Sequence, residues 1–391
     1  DCYLKFMKKI LMIPGPIEYD HEVLSAMSKP TYAHTSKEFS EIYKDALEKI
    51  LAVFGSKDGL PYAIAGSGTL AMEISAANFI KKDSKVLVVS TGYFGERFVD
   101  LFSRFTKNVD VYRPPLGYPA DPKQIYELVS KGDYDLVTVT HVDTSSGVRN
   151  DIKEIAKFFK DLDTILVVDG VCSIGGEDFS MEWGVDVAFT ASQKALGVPP
   201  GLAVGVVGNK ALKAMEKNPP LTFYSDLRIW QNILRSYMQG KAAYFATPAV
   251  NLIVALDVSL NLIIQEGLEK RIKRHQIMAE SIRAGLRELG LKFIPVEGSY
   301  ANTISVQYLP ENVKQENFLA DAERFGAVFA GGLIPSIKEK YFRIGHMGSI
   351  TSSEVLIAVG AVERALKKNG YDIELGKGLS AAEEVLFKNG Y

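Results

Sequence analysis

Lys194 stands in an unusual setting for a lysine. It lies in Ser192-Gln193-Lys194, after the apolar run 185–190 and before Gly197 and the rigid turn Pro199-Pro200-Gly201. A solvated surface lysine is the ordinary case. Here few other charges are near in sequence, and an amine shielded between a strand and a turn has a lowered pKa, as Schiff-base chemistry requires. Asp169, 25 residues earlier, ends a second apolar run at 164–168. A carboxylate at the carboxyl end of a strand can hold a metal or a protonated ring nitrogen; the plain alternative is a turn or cap aspartate. If the extended conformation continues, Val171 faces the same way as Asp169.

Two glycine-bearing segments add to this pair. Gly66-Ser67-Gly68-Thr69 joins a strand ending near Ala65 to a helix beginning near Gly68. Glycines let backbone N–H groups close on an anion, the helix N-terminus adds its positive end, and Ser67 and Thr69 bring hydroxyls. No Gly-Lys-Ser/Thr follows, so this is not a P-loop, and Gly66 to Ala71 ends in Ala where a dinucleotide fingerprint needs Gly. In Gly92-Tyr93-Phe94-Gly95, just after another apolar run, an aromatic could cover a flat ligand by offset stacking. A phosphate cradle, an aromatic platform, a carboxylate and a shielded lysine are together the parts of a pyridoxal phosphate site.

These residues need a scaffold that brings them to one place. Short Val- and Ile-rich runs at 62–65, 85–90, 109–112, 136–140, 164–169, 185–190 and 202–207 alternate with helical patterns at 68–79, 96–105 and 152–159. That alternation predicts βαβ units and a largely parallel sheet, in which ligands sit beyond the carboxyl ends of the strands. Residues 248–290 read as long helices. A smaller α+β pattern follows, with strands at 291–296, 303–309 and 341–345 and helices at 312–325 and 352–368. The expected division is an extended arm at 1–17, a large domain at 18–260 and a small one at 261–391. Helices are expected near 18–28 and 36–54, and the stretch 14–36 over the site entrance, with Tyr32, His34, Thr35 and Ser36 as candidate contacts.

Composition narrows the function classes. The 391 residues carry 45 Lys and Arg against 47 Asp and Glu, a net charge of −2, which argues against nucleic-acid or membrane-surface binding driven by bulk charge. Cys2 and Cys172 cannot build a disulfide framework or a multi-Cys zinc site, and none of the five histidines falls in H-E-x-x-H. No segment approaches the ~20 apolar residues of a membrane-spanning helix. A soluble protein of the reducing cytoplasm, with no metal, is the expectation.

The same residues carry a resemblance. Pro14-Gly15-Pro16, Gly66-Ser67-Gly68-Thr69, Gly92-Tyr93-Phe94-Gly95-Glu96-Arg97, Thr140-His141 through Ser146-Gly147-Val148, Val168-Asp169-Gly170-Val171, Ser192-Gln193-Lys194-Ala195-Leu196 and Phe342-Arg343-Ile344-Gly345 span nearly the whole chain. In that order they resemble the class V aminotransferases, specifically the alanine–glyoxylate and serine–pyruvate aminotransferase group. The resemblance implies the aspartate-aminotransferase-type α/β fold (pyridoxal-phosphate fold type I), with a mostly parallel sheet and a smaller α+β C-terminal domain. It makes Lys194 the Schiff-base lysine and Asp169 the partner of the pyridine nitrogen. Phe94 falls at the ring-stacking position, often Trp in relatives, with Val171 on the opposite face and Thr144 at the ring's phenolic oxygen. Ser67, Gly68, Thr69 and Gln193 match phosphate-binding positions, Thr69 where His is common. Tyr244 and Thr247 match residues that complete the neighbouring subunit's phosphate site, which implies a homodimer with shared active sites. Arg343 matches the arginine that grips the substrate's α-carboxylate, for which its bidentate fork is suited. The implied activity is ping-pong transamination, through pyridoxamine phosphate, of serine or alanine with pyruvate or glyoxylate.

Rivals are weaker. A cysteine desulfurase needs a late nucleophilic Cys, and none follows Cys172. Phosphoserine or aminophosphonate aminotransferases share the core but need extra basic residues in the pocket. A hydrolase of the kynureninase type fits the motif set less well, and a non-catalytic binding protein has no need of Lys194, Asp169 and Arg343 together.

Overall fold

The computed structural model describes residues 9–217 and 222–391; Cys2 and residues 1–8 of the expected arm lie outside the described residues. A seven-stranded sheet organises the larger part of the chain. Its strands are β1 (Leu60–Ala65), β2 (Lys85–Val89), β3 (Asn108–Tyr112), β4 (Leu136–Thr140), β5 (Ile165–Asp169), β6 (Val187–Ala191) and β7 (Leu202–Val207), in spatial order β1-β7-β6-β5-β4-β2-β3. Only β7 runs antiparallel to its neighbours. Every residue of β4, β5, β6 and β7 is buried, which is why these strands read as continuous apolar runs rather than alternating ones. The carboxyl ends of β1, β2, β4, β5 and β6 consequently open on one edge, where Gly66, Ser90, Thr140, Asp169 and Ala191 stand.

The smaller sheet, β8 (Ile304–Tyr308), β9 (Ala330–Gly331) and β10 (Tyr341–Gly345), has the antiparallel order β8-β10-β9, with β10 buried along its whole length. A second core forms around it from Ile277, Phe318, Phe342, Val355 and Leu366, and the arm joins it through Ile10 and Met12. Ile10–Leu11 pairs in parallel with Ala327–Val328, and Met12 O accepts from Gly345 N at 2.8 Å. The helices Val250–Glu266 and Leu268–Glu288 meet at 85° across Gly267, whose φ of +84° suits glycine. No single helix among the described residues is long and apolar enough to cross a membrane.

The expected strand at 291–296 does not form. Phe293 makes one isolated bridge to Gln307, Pro295 has no N–H for a ladder, and Val296 N donates to Gly117 O (2.9 Å), in the segment after β3, instead. The helices Pro122–Gly132, Asn209–Glu216, Leu227–Met238 and Lys377–Lys388 were not anticipated, although Asp121 and Asp226 cap two of them.

Candidate active site

Asp169 ends β5, fully within the protein. Its Oδ1 accepts from Val171 N (2.9 Å), so the turn role expected of an ordinary aspartate takes one oxygen only. Burial pushes its carboxyl up to about 7; the charge of Asp143 adds to the rise, while Lys194 and Arg97 oppose it. The chain turns at once after Asp169 rather than continuing extended, and Val171 reaches the site through that turn. Lys194 follows β6. Burial lowers its pKa and the Arg343 charge lowers it further, against Cys172 and Asp169. Its Nζ donates to Pro14 O, and a Cβ on Gly15 (φ +101°) would come within 2.7 Å of the lysine chain. The arm therefore lies directly on the lysine. Ser36, a candidate entrance contact from sequence, instead caps the helix Lys37–Val53.

A cavity of about 160 Å³ opens beside these two residues. Of the residues expected from sequence, it is lined by Ser67, Gly68, Thr69, Phe94, Thr144, Asp169, Val171, Gln193 and Lys194. Met72, Arg97, Thr140, Val142, Cys172 and Ala191 complete the lining and were not anticipated. Ser67 sits at the N-cap of the helix Gly68–Phe79, but its hydroxyl oxygen accepts from none of the helix N–H groups, so that oxygen and those N–H groups are not tied to each other. Thr140 Oγ1 and Gln193 Oε1 are buried and have no hydrogen-bond partner in the protein. Orphaned polar atoms at a strand edge, next to a glycine-bearing helix N-terminus, fit a ligand with a phosphate and ring substituents.

One residue missed in sequence holds the aromatic wall. Asp143 is fully buried; its Oδ2 accepts from Phe94 N (3.0 Å) and Gly95 N (3.1 Å), and its Oδ1 from Ser145 N (3.0 Å) and Ser145 Oγ (2.6 Å). Ser145 Oγ in turn accepts from Tyr93 N (2.8 Å). A Cβ at Gly92 would lie 2.6 Å from Asp143 Cγ, so close approach requires glycine there. Asp143 lies within the 140–148 motif, but nothing in its sequence position shows that it would reach back to residues 94 and 95.

Arg343 sits at the centre of β10, between Val306 and Ala330. Its Nε donates to Gly331 O (2.7 Å) and its Nη1 lies 3.4 Å from Thr144 O, which brings it to the cavity's edge although it does not line it. Burial lowers its pKa; Tyr341, Cys172 and Asp143 oppose the fall. Tyr244 and Thr247 are not brought to this cavity. Both are exposed, and the Tyr244 ring lies 5.5 Å from the His34 ring.

The family profile "Aminotransferase class-V" matches residues 18–322. Alanine–glyoxylate aminotransferase 1 of Saccharomyces cerevisiae is 41% identical over 356 residues, covering 86% of this chain and 91% of that protein. An uncharacterized aminotransferase of Methanocaldococcus jannaschii is 38% identical over 386 residues, 98% of each. Among solved structures, ureidoglycine–glyoxylate aminotransferase of Bacillus subtilis superposes with a TM-score of 0.91 at 27% identity, over 97% of this chain and 98% of that one. A strand-edge cavity that joins a buried lysine, a buried carboxylate and a phosphate-type cradle is what a pyridoxal phosphate enzyme of fold type I requires, and the chain belongs to the class V aminotransferases, in the alanine–glyoxylate aminotransferase group.

Proposed function

We propose that the enzyme carries the amino group of a small L-amino acid, serine or alanine, to glyoxylate or pyruvate in a ping-pong sequence. The observation that carries this reading is Arg343. Two backbone carbonyls fix its guanidinium, yet it has no carboxylate ion-pair partner among the described residues. A buried, oriented and unneutralised arginine beside Lys194 suits the α-carboxylate common to both substrates. Val142 and Cys172 line the cavity and are backed by the packed core of Ile17, Tyr341 and Met347, which favours a short side chain. The yeast and B. subtilis relatives are named for different amino donors and share glyoxylate, which supports glyoxylate as the acceptor. A phosphoserine or aminophosphonate substrate would need a further cation, and the cavity lining supplies only Arg97 and Lys194.

When bound, pyridoxal phosphate supplies an aldehyde for amine exchange and a ring that accepts electron density. Lys194, whose pKa burial lowers, would supply the amine that attacks the cofactor's carbonyl carbon. The same amine would carry the proton at the substrate Cα. Asp169 offers its carboxylate to a ring N–H⁺; that pairing restores the solvation that burial removed and holds the nitrogen protonated. Ser67, Gly68, Thr69 and Gln193 hold the phosphate, Phe94 and Val171 the two ring faces, and Thr144 the ring oxygen. Tyr244 and Thr247, exposed on one subunit, complete the phosphate site of a partner in a homodimer.

Absorption spectroscopy tests the reading. L-serine or L-alanine should move a band near ~400 nm to one near ~330 nm, and glyoxylate should restore it. A band that neither amino acid moves would remove the substrate assignment.

A further inference from the structure

We infer that Arg97 is the cationic partner of the cofactor's phosphate. The groups assigned to that phosphate, Ser67, Gly68, Thr69 and Gln193, are neutral donors, whereas a phosphate monoester carries roughly −1.5 to −2 charges at neutral pH. The nearest buried acids, Asp169 and Asp143, make the cavity less hospitable to an anion. Lys194 is committed to the cofactor's carbonyl carbon, and Arg343 is held at the other side by Gly331 O and Thr144 O.

Arg97 has the required place and charge. It lines the same cavity, and its Nη1 lies 3.4 Å from Thr69 Oγ1, the last residue of the cradle. Its guanidinium carbon lies 5.4 Å from the Tyr93 ring centre and 5.1 Å from that of Phe94, so the two aromatics support it one turn along their own helix. Its charge is not consumed within the protein. The adjacent Glu96 is bound in bidentate fashion by Arg113, at 2.8 and 2.9 Å, and no carboxylate among the described residues pairs with Arg97. Thr69 is neutral, which leaves this guanidinium as the charged group at that end of the cradle. The inference depends on the cofactor and not on the choice of amino acid or oxo acid, so its failure would leave the substrate reading untouched.

A purely structural Arg97 would hold Phe94 and nothing more, and a cofactor without phosphate separates the two roles. Apoenzyme is titrated with pyridoxal phosphate and, separately, with pyridoxal, and the ~400 nm band is followed in both. Arg97→Met, which keeps much of the length and the apolar packing on the two rings, should weaken pyridoxal phosphate about 10- to 100-fold and leave pyridoxal within about 2-fold, as loss of a charge-assisted contact predicts. Arg97→Lys should recover most of the loss. Arg97→Gln makes the same neutral test if the Met variant does not fold. Equal weakening of both ligands, or no weakening of pyridoxal phosphate, would overturn the inference.

Discussion

The two edges of the large sheet carry the same residue types in opposite states. At the edge away from the site, Lys210 donates to Leu162 O and Thr164 O (2.9 Å each) and to Phe159 O (3.3 Å), and its Nζ lies 2.9 Å from Asp186. Asp186 also accepts from Leu166 N at 2.8 Å. That pair is saturated; it ties the start of β5 to the segment before β6 and to the helix Asn209–Glu216. At the site edge, Lys194 has one backbone acceptor and Asp169 one backbone donor, with no bond between them. Burial raises the pKa of both aspartates, but only Asp186 has a lysine within bonding distance to offset it. A saturated Lys–Asp pair holds a fold; an unsaturated one keeps its bonding capacity for a ligand.

The contrast is tested most strongly at the lysines. Lys194→Ala should abolish the ~400 nm band and reduce kcat by about 10⁴-fold or more, because nucleophile and proton carrier are lost together. Lys210→Ala should leave kcat almost unchanged and lower stability by about 1–2 kcal/mol in urea unfolding, since Lys210 is partly exposed while Asp186 is left unpaired. If Lys210→Ala removed activity with the fold intact, the division between the edges would be false.

At Asp169 stability and activity should move apart. Its folded pKa of about 7 lies above the ordinary 3.8, so in the cofactor-free protein its contribution is fully present below about pH 4. That contribution is lost as pH rises to about 7. Asp169→Asn should therefore raise the melting temperature of the cofactor-free enzyme at pH 8, with the gain shrinking toward pH 4, while kcat falls about 100-fold or more. A gain independent of pH would contradict the burial argument. Asp143→Asn keeps the shape but loses acceptors for some of its four donors; cofactor affinity should fall about 10-fold at unchanged length and charge of the cradle, measured by equilibrium titration.

The smallest effect is expected at Tyr244. Tyr244→Phe, which removes one neutral hydrogen bond, should weaken cofactor binding about 3- to 10-fold. Mixing Lys194→Ala subunits with Thr247→Ala subunits should create a class of sites with unimpaired cofactor affinity in equilibrium titration if sites are shared between partners; absence of that class would argue that each subunit completes its own site.

Much of this is legible in the sequence. The bounds of β4, β7 and β10 and of the helices Gly68–Phe79 and Ser352–Lys368 coincide with the expected ones, because long apolar runs and 3.6-residue periodicity are local signals. Nine of the twelve expected site residues line one cavity, because strand-end motifs in a parallel sheet converge on its carboxyl edge. Arg343 stops at that cavity's edge, while Tyr244 and Thr247 stand apart from it. The strand expected at 291–296 failed because Pro295 offers no N–H and Gly117 takes the N–H of Val296.

The sequence by itself determined the residue types, their order and the strand ends that carry them, and with these the kind of cofactor the chain can hold. Tertiary structure alone decided the rest: that Asp143 clamps Phe94 and Gly95 across 49 and 48 residues, that Pro14 lies on Lys194 across 180, and that Arg343 reaches Thr144 across 199. Contacts of that separation leave no periodicity or spacing to read. They arise where packed elements meet, and that meeting is set by the whole core rather than by any local run of residues.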